Sequence, residues 1–450
     1  MSESLPWHLR WRLSVLWALQ WGITGSILTY LPLYFTEHNL DSVQIGQLMA
    51  VSAIGLLVAP LVVGQICDRW LSSNKYLAMA HLVGGLTLLS VPLAAEIYRE
   101  TQGNFGTLLL LVMVYAIAYF PTIPLASSLS FRHLPDPDSQ FGKVRIWGTV
   151  GWVISGLVLS LWLGQNDVLA WLRATFPDRE PAIRGYEVFL ARFGDPSSAD
   201  AFRIAAVLSF MLSSFCIMLP ATPPLRTGKS KGKVAPLEAL AMFKDPQFTL
   251  MISISFALSV VVPTYSYAVP RLLENLEVKS DWVPAVMTVG QISEFPALLL
   301  LPICLKKLKL KATFALGILA WVVRYTLFAF DVSMWLILLG IALHGVCHVY
   351  LVIVIQLYVD QKCRPDLRAS AQNLFAFFTM GVAMPIGFLL AGGLGQFFKL
   401  DDPERANYRG FFFVAAAAMA VLLVVYWLSA DLKRNNKAGE EAKPTANPEP

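Results

Sequence analysis

The sequence predicts an all-α membrane protein, 12 transmembrane helices in two six-helix bundles. Three observations carry this expectation. Of 450 residues, 56% are hydrophobic and only 14% charged, with a mean hydropathy of +0.58, whereas a soluble domain carries about 25% charged residues to cover its surface. Twelve apolar stretches approach the roughly 20 residues that cross a bilayer core of about 30 Å. A polar, basic stretch separates the sixth from the seventh. Ordinary soluble enzymes, nucleic-acid binders and disordered regulators fit this composition poorly. The net charge of +5 is what an excess of cytoplasmic Lys and Arg gives a polytopic membrane protein.

The first segment, 12–36, follows Trp7, Arg10 and Arg12 and has no small-residue cleavage site. It reads as a membrane span and not a removable signal peptide. Segments 42–66, 76–97, 106–130, 145–164 and 202–220 complete an amino-terminal bundle, 1–220. Residues 221–247, with Pro223, Pro224, Arg226, Lys229, Lys231, Lys233 and Lys244, form a cytoplasmic basic linker. Segments 248–272, 282–304, 311–330, 333–359, 369–397 and 409–430 build the carboxy-terminal bundle, 248–430. The tail, 431–450, is polar, carries Pro444, Pro448 and Pro450, and is expected to be disordered and cytoplasmic. With the amino terminus inside, Lys and Arg favour the inner segments by about two to one, which puts both termini in the cytoplasm. The run Lys306-Lys307-Leu308-Lys309-Leu310-Lys311 is the clearest anchor. Helices are the expected spanning structure, because the alternation of a membrane barrel is absent. The five cysteines, Cys67, Cys216, Cys304, Cys347 and Cys363, are odd in number and without metal-ligand spacing, so neither a disulfide framework nor a zinc site is implied.

Ionisable residues inside spans cost about 2.5–3.5 kcal/mol or more and usually face a cavity or a partner. Glu294 is the one acid deep in a span, and Gln291 shares its helix face at a spacing of three. A lone intramembrane carboxylate suits reversible proton loading; the plainer alternative is a structural ion pair. Arg145 and Thr149 lie four apart on the fifth segment, with Trp152 three further on and Gly148 and Gly151 open to a neighbouring helix. Arg145 also fits a snorkelling cytoplasmic charge. His344 and His348 lie on one face at i, i+4. That spacing fits a metal, but no third ligand is nearby in sequence, so the pair is expected to line an aqueous cavity, with simple packing as the alternative. Arg324 is expected to brace helices. Neither Walker A, G-x-G-x-x-G, G-x-S-x-G nor H-E-x-x-H occurs, so no enzyme is expected, and energy must come from an ion gradient or from the substrate's own gradient.

After the second span comes Gly64-Gln65-Ile66-Cys67-Asp68-Arg69-Trp70, ending at Lys75. This resembles the loop 2–3 signature of the major facilitator superfamily, in which Gly64 allows close helix approach and Asp68 and Arg69 hold the cytoplasmic side closed. A generic charged turn is the alternative. The loop after the eighth span, Cys304 to Lys311, lacks the Gly and the Asp-Arg.

Further strings resemble the bacterial nucleoside:proton symporters of that superfamily. They are Asp68-Arg69-Trp70-Leu71-Ser72, Tyr119-Phe120-Pro121-Thr122, Arg145-Ile146-Trp147-Gly148-Thr149, Gln291-Ile292-Ser293-Glu294, Trp321 to Arg324 with Leu327-Phe328-Ala329, and Arg368-Ala369-Ser370-Ala371-Gln372. The resemblance runs from about residue 12 to 430, except over the 165–200 outside loop. It implies proton-coupled nucleoside uptake by alternating access across the bacterial inner membrane, without cofactor or metal. Partners would be the nucleoside, the proton and the bilayer, with no nucleic acid, and the chain would work as a monomer. Arg145, Thr149, Gln291 and Glu294 would line the nucleoside site, with Trp152 at an aromatic position, Glu294 and Arg145 coupling the proton, and Gly64, Asp68 and Arg69 gating. The chain departs from the family at Pro263 and Ser266, where nucleoside members carry polar Gln and Asn, and at His344, His348 and Val349. A symporter for another polar metabolite such as a sugar is the alternative, followed by a membrane sensor or an intramembrane enzyme.

Overall fold

The computed structural model describes residues 5–58, 63, 66–67, 70–101, 103–223, 241–330, 333–363 and 368–441. Among these there is no strand, and helix occupies each of the twelve predicted segments. Eight helices are long and apolar enough to cross a membrane: Ser73–Thr101, Phe105–His133, Gln140–Leu163, Pro246–Asn275, Ser280–Phe330, Met334–Lys362, Leu374–Phe397 and Tyr408–Ser429. Their lipid-side character is visible in the side chains they leave exposed, such as Leu86, Leu93, Leu299, Leu339 and Phe413.

The departures from the expected segments have local causes. The first span begins at Trp7 and is interrupted after Ile27 by a turn, resuming at Leu31 with Pro32 in its first turn, a position proline tolerates because its missing N–H would be unpaired there. The basic loop expected between the eighth and ninth spans is a kink inside Glu294–Phe330, turned at Lys309 with φ 62°. The last helix continues to Glu441, past the start of the tail expected to be disordered at 431, because Asp431 to Ala438 contains neither Gly nor Pro and is rich in helix-forming Leu, Lys, Arg and Ala. The 165–200 loop is folded: helices Gln165–Thr175 and Glu180–Ala191 form a hairpin. Leu169, Ile183 and Leu190 make its small core against Trp162 and Leu172. Arg173 ties the two helices through Glu187 at 2.5 Å.

Segment packing relies on glycine. A Cβ on Gly151 would stand 2.0 Å from the carbonyl oxygen of Ala18, and one on Gly25 2.7 Å from Trp152 Cα. The first and fifth segments therefore meet backbone to backbone, the arrangement small residues permit in membranes. Polar side chains bind the first, third, fourth and sixth segments. Gln20 Nε2 donates to Thr122 at 2.8 Å, and His81 Nε2 lies 3.1 Å from Gln20 Oε1. Ser209 donates to the His81 carbonyl at 2.8 Å.

The first six and last six segments meet chiefly through the second against the eleventh and the fifth against the eighth. At the end carrying the hairpin this seam is tight. A Cβ on Gly46 would lie 2.8 Å from Gly392 Cα. Tyr267 Oη donates to the Ser42 carbonyl at 2.8 Å, and the Ala285 amide donates to Ser160 Oγ at 2.9 Å. Asp167 accepts from Lys279 Nζ at 2.6 Å and from Trp282 Nε1 at 3.0 Å.

Candidate functional site

Arg145, Thr149 and Trp152 stand on the fifth helix, Pro137–Leu163, all partly buried. The Arg145 guanidinium lies over the faces of Trp17 and Trp21, 4.8 and 4.6 Å from the ring centroids. Trp21 in turn meets Trp152 at 5.9 Å. Gly148 makes room for this group, since a Cβ there would stand 2.6 Å from the Trp21 ring and 2.7 Å from the Arg145 guanidinium. An intramembrane cation is thus held by aromatic quadrupoles. A pairing of Arg145 with Glu294 would be the simplest way to neutralise both. The two interact electrostatically, but among the described residues no ion pair within 4 Å joins them.

The eighth segment stays helical through Ser293, with a break in regularity there, between Val283–Ile292 and Glu294–Phe330. The tenth is likewise continuous but irregular: Leu343 joins Met334–Ala342 to the turn His344–His348, and Val349–Ile353 is a π-turn. Such π-turns gather at functional sites. Two glycines bring the breaks together. A Cβ on Gly345 would stand 2.1 Å from the Ser293 carbonyl oxygen, and one on Gly290 3.1 Å from His344 Cβ. The Gly345 amide donates to Ser293 Oγ at 2.8 Å, and Ser293 Oγ donates to the Gly290 carbonyl at 2.5 Å.

The result is a titratable cluster built from two segments. His344 Nε2 lies 3.5 Å from Glu294 Oε1. His348 stacks on His344, with ring centroids 5.5 Å apart at 17°. Tyr265, from the seventh segment, also stacks with His344, at 5.8 Å and 21°. The carboxylate that the sequence did not place beside the two histidines is therefore Glu294, and ligand atoms of Glu294, His344 and His348 lie within 4.8 Å of one another. Gln291, one turn before Glu294, is buried and its Oε1 has no hydrogen-bond partner, an acceptor available to a polar ligand.

Arg324 does more than brace helices. It is fully buried, its guanidinium 3.5 Å from the Tyr265 centroid and 4.9 Å from that of Trp321. Its Nη1 lies 3.1 Å from His344 Nδ1.

Pro263 opens the helix Pro263–Asn275 and packs near Gly387, where a Cβ would stand 2.8 Å from its ring. Its role is at a helix junction, and the neighbouring Thr264 is taken by Tyr325 Oη at 2.8 Å. Gly64, Asp68 and Arg69 lie outside the described residues. Sequence reasoning missed Trp17, Trp21 and Tyr265. The available signal was Trp17 and Trp21 at i, i+4 on one helix face, which in an apolar run looks the same as a lipid-facing pair.

Fold and site together define a membrane-embedded helical protein with a polar cluster held among the seventh to tenth segments of its second half. The model of the nucleoside H+ symporter family matches residues 7–175 and 191–436. The chain belongs to that family, and proton-coupled nucleoside transport is its activity. The putative nucleoside transporter YegT of Escherichia coli K12 is 28% identical over 93% of this chain and 92% of its own length. The nucleoside permease NupG of the same organism is 25% identical over 86% and 87%, and its xanthosine permease 25% over 92% and 94%. The crystal structure of a mutant form of the nucleoside transporter NupG superposes with a TM-score of 0.77 at 23% identity, covering 93% of this chain and 99% of that one.

Proposed function

We propose that this chain carries a nucleoside inward with a proton across a bacterial inner membrane, as a monomer with both termini cytoplasmic, by rocking its two six-helix bundles, 1–220 and 248–430, about the cluster. The observation that carries this reading is the meeting of Glu294 with His344 and His348 where the eighth and tenth helices lose regularity, with Arg145 of the fifth segment interacting electrostatically with Glu294. An intramembrane carboxylate with partial exposure can be loaded and unloaded with a proton. Gln291, with its free acceptor, and Thr149 suit ribose hydroxyls or base edges. Trp152 and the stacked His344 and His348 suit the flat face of a base. Arg145 responds to the charge on Glu294 and so links proton and substrate. In this orientation the tight seam at Ser42, Asp167 and Lys279 is the outer one. Gly64, Asp68 and Arg69 would close the opposite side.

The test is uptake of labelled uridine by proteoliposomes under an inward proton gradient. Glu294→Gln is expected to abolish accumulation against a uridine gradient while retaining uridine binding. A variant that still accumulates uridine overturns Glu294 as the proton carrier. Competition by a sugar, with none by uridine or adenosine at millimolar concentration, overturns the nucleoside reading.

A further inference from the structure

Glu294, His344 and His348 supply two imidazoles and one carboxylate within 4.8 Å, a donor set suited to a divalent transition metal. A histidine binds a metal through a nitrogen lone pair, and a neutral imidazole has only one, the other nitrogen carrying hydrogen. At His344 that single lone pair is already assigned. A guanidinium can donate but cannot accept, so the contact between Arg324 Nη1 and His344 Nδ1 at 3.1 Å runs from arginine to histidine. Nδ1 is then the acceptor, and Nε2 carries the hydrogen that faces Glu294 Oε1 at 3.5 Å.

Arg324 also meets Tyr265 and Cys347, a phenol and a thiol that accept more weakly than an imidazole lone pair. It is 0% exposed, its Nε and Nη2 have no hydrogen-bond partner, and its remaining neighbours include the faces of Tyr265, Trp321 and Phe328. Its charge reaches a carboxylate only through the imidazole. The His344 ring cannot easily turn over to exchange its nitrogens, because it lies stacked with Tyr265 and His348.

We propose that Arg324 is a positioning residue that fixes the Nε2–H tautomer of His344, so that the imidazole donates to Glu294 and the Glu294–His344–His348 cluster is barred to transition metals. Glu294 keeps its lone pairs for a proton and is aimed by a neutral donor; this consequence rests on Glu294 carrying the proton, whereas the tautomer does not. The barrier serves a transporter well, since a metal bridging the eighth and tenth segments would occupy the carboxylate and pin both helices.

Two measurements on the full-length protein in detergent test the proposal. Histidine 15N NMR, with the His344 signal assigned from His344→Gln, is expected to show an unprotonated Nδ1 and a protonated Nε2. The reverse tautomer overturns the proposal. Titration with cobalt(II) chloride is expected to give no visible ligand-field band with the native protein. It is expected to give one with Arg324→Met, which has no donor, lost again in Arg324→Met combined with His348→Ala, and absent in Arg324→Lys, where an ammonium still donates to Nδ1. A band in the native protein that disappears in His344→Gln overturns the proposal. So does the absence of a band in Arg324→Met that still binds uridine. Retained uphill uptake by Glu294→Gln would refute the proton-carrier reading while leaving both of these readouts intact.

Discussion

Arg145 shows what a sequence does and does not disclose about a single side chain. A cation in an apolar run is legible because its desolvation demands a partner. Its partners, Trp17 and Trp21, were not legible, because an aromatic residue in a membrane span is equally at home against lipid. Glu294 and the histidine pair stood out for the same reason as Arg145, but their meeting depends on which faces of two distant segments touch. The delocalised guanidinium stacked on two indoles is not reproduced by an ammonium, which is compact and more strongly hydrated. Arg145→Lys is expected to weaken uridine affinity about tenfold, equivalent to about 1.4 kcal/mol, as measured by equilibrium binding to the purified protein. Unchanged affinity would remove Arg145 from the substrate site.

At the scale of the element, hydropathy located every segment because a bilayer requires about 20 apolar residues in a helix. It could not locate the breaks at Ser293 and Leu343 or the π-turns Val349–Ile353 and Phe377–Ala383. These are choices among backbone hydrogen bonds within equally apolar sequence. The 165–200 loop hid its hairpin because its helices are short and half polar, and the residues between the two family-matched stretches, 176–190, fall inside it. The paired breaks depend on Gly345, whose hydrogen faces the Ser293 carbonyl. Gly345→Ala is expected to push the eighth and tenth segments apart, lowering stability by about 1–3 kcal/mol and uptake with it. Thermal unfolding in detergent checks this, with Gly185→Ala, a position with open space around it, as the unaffected control. Equal melting temperatures for the two variants would refute the close approach.

For the whole molecule, the basic linker and the spacing of spans set the expectation of two six-helix bundles, but not which end of the seam between the first six and last six segments is shut. That depends on contacts such as Ser160 with Ala285, which no hydropathy pattern encodes. In a background with the five native cysteines replaced, oxidation of Ser160→Cys with Ala285→Cys is expected to stop uptake, and reduction to restore it. Uptake that survives complete cross-linking would show that this seam need not open. The ion pair across the seam sets a pH expectation. Hydrogen bonds from Lys279 and Trp282 hold the Asp167 carboxyl below its usual range. Its contribution is therefore complete above the ordinary carboxylate pKa near 4 and lost only as pH falls through the lowered value. Asp167→Asn is expected to change seam opening equally at pH 6 and pH 8, read by reactivity of a cysteine at position 160. A pH-dependent difference between those values would assign the sensing to another group.

The indoles around Arg145 give the molecule an optical property. The environment of an indole ring governs its emission, and Trp21 and Trp152 face each other beside a guanidinium, where a purine or pyrimidine ring would enter. Trp7, Trp70, Trp171 and Trp335 are exposed and contribute a steady background. The empty and occupied carrier should therefore differ in colour and brightness of their own ultraviolet emission, so that each turnover can be followed by light without attaching a dye.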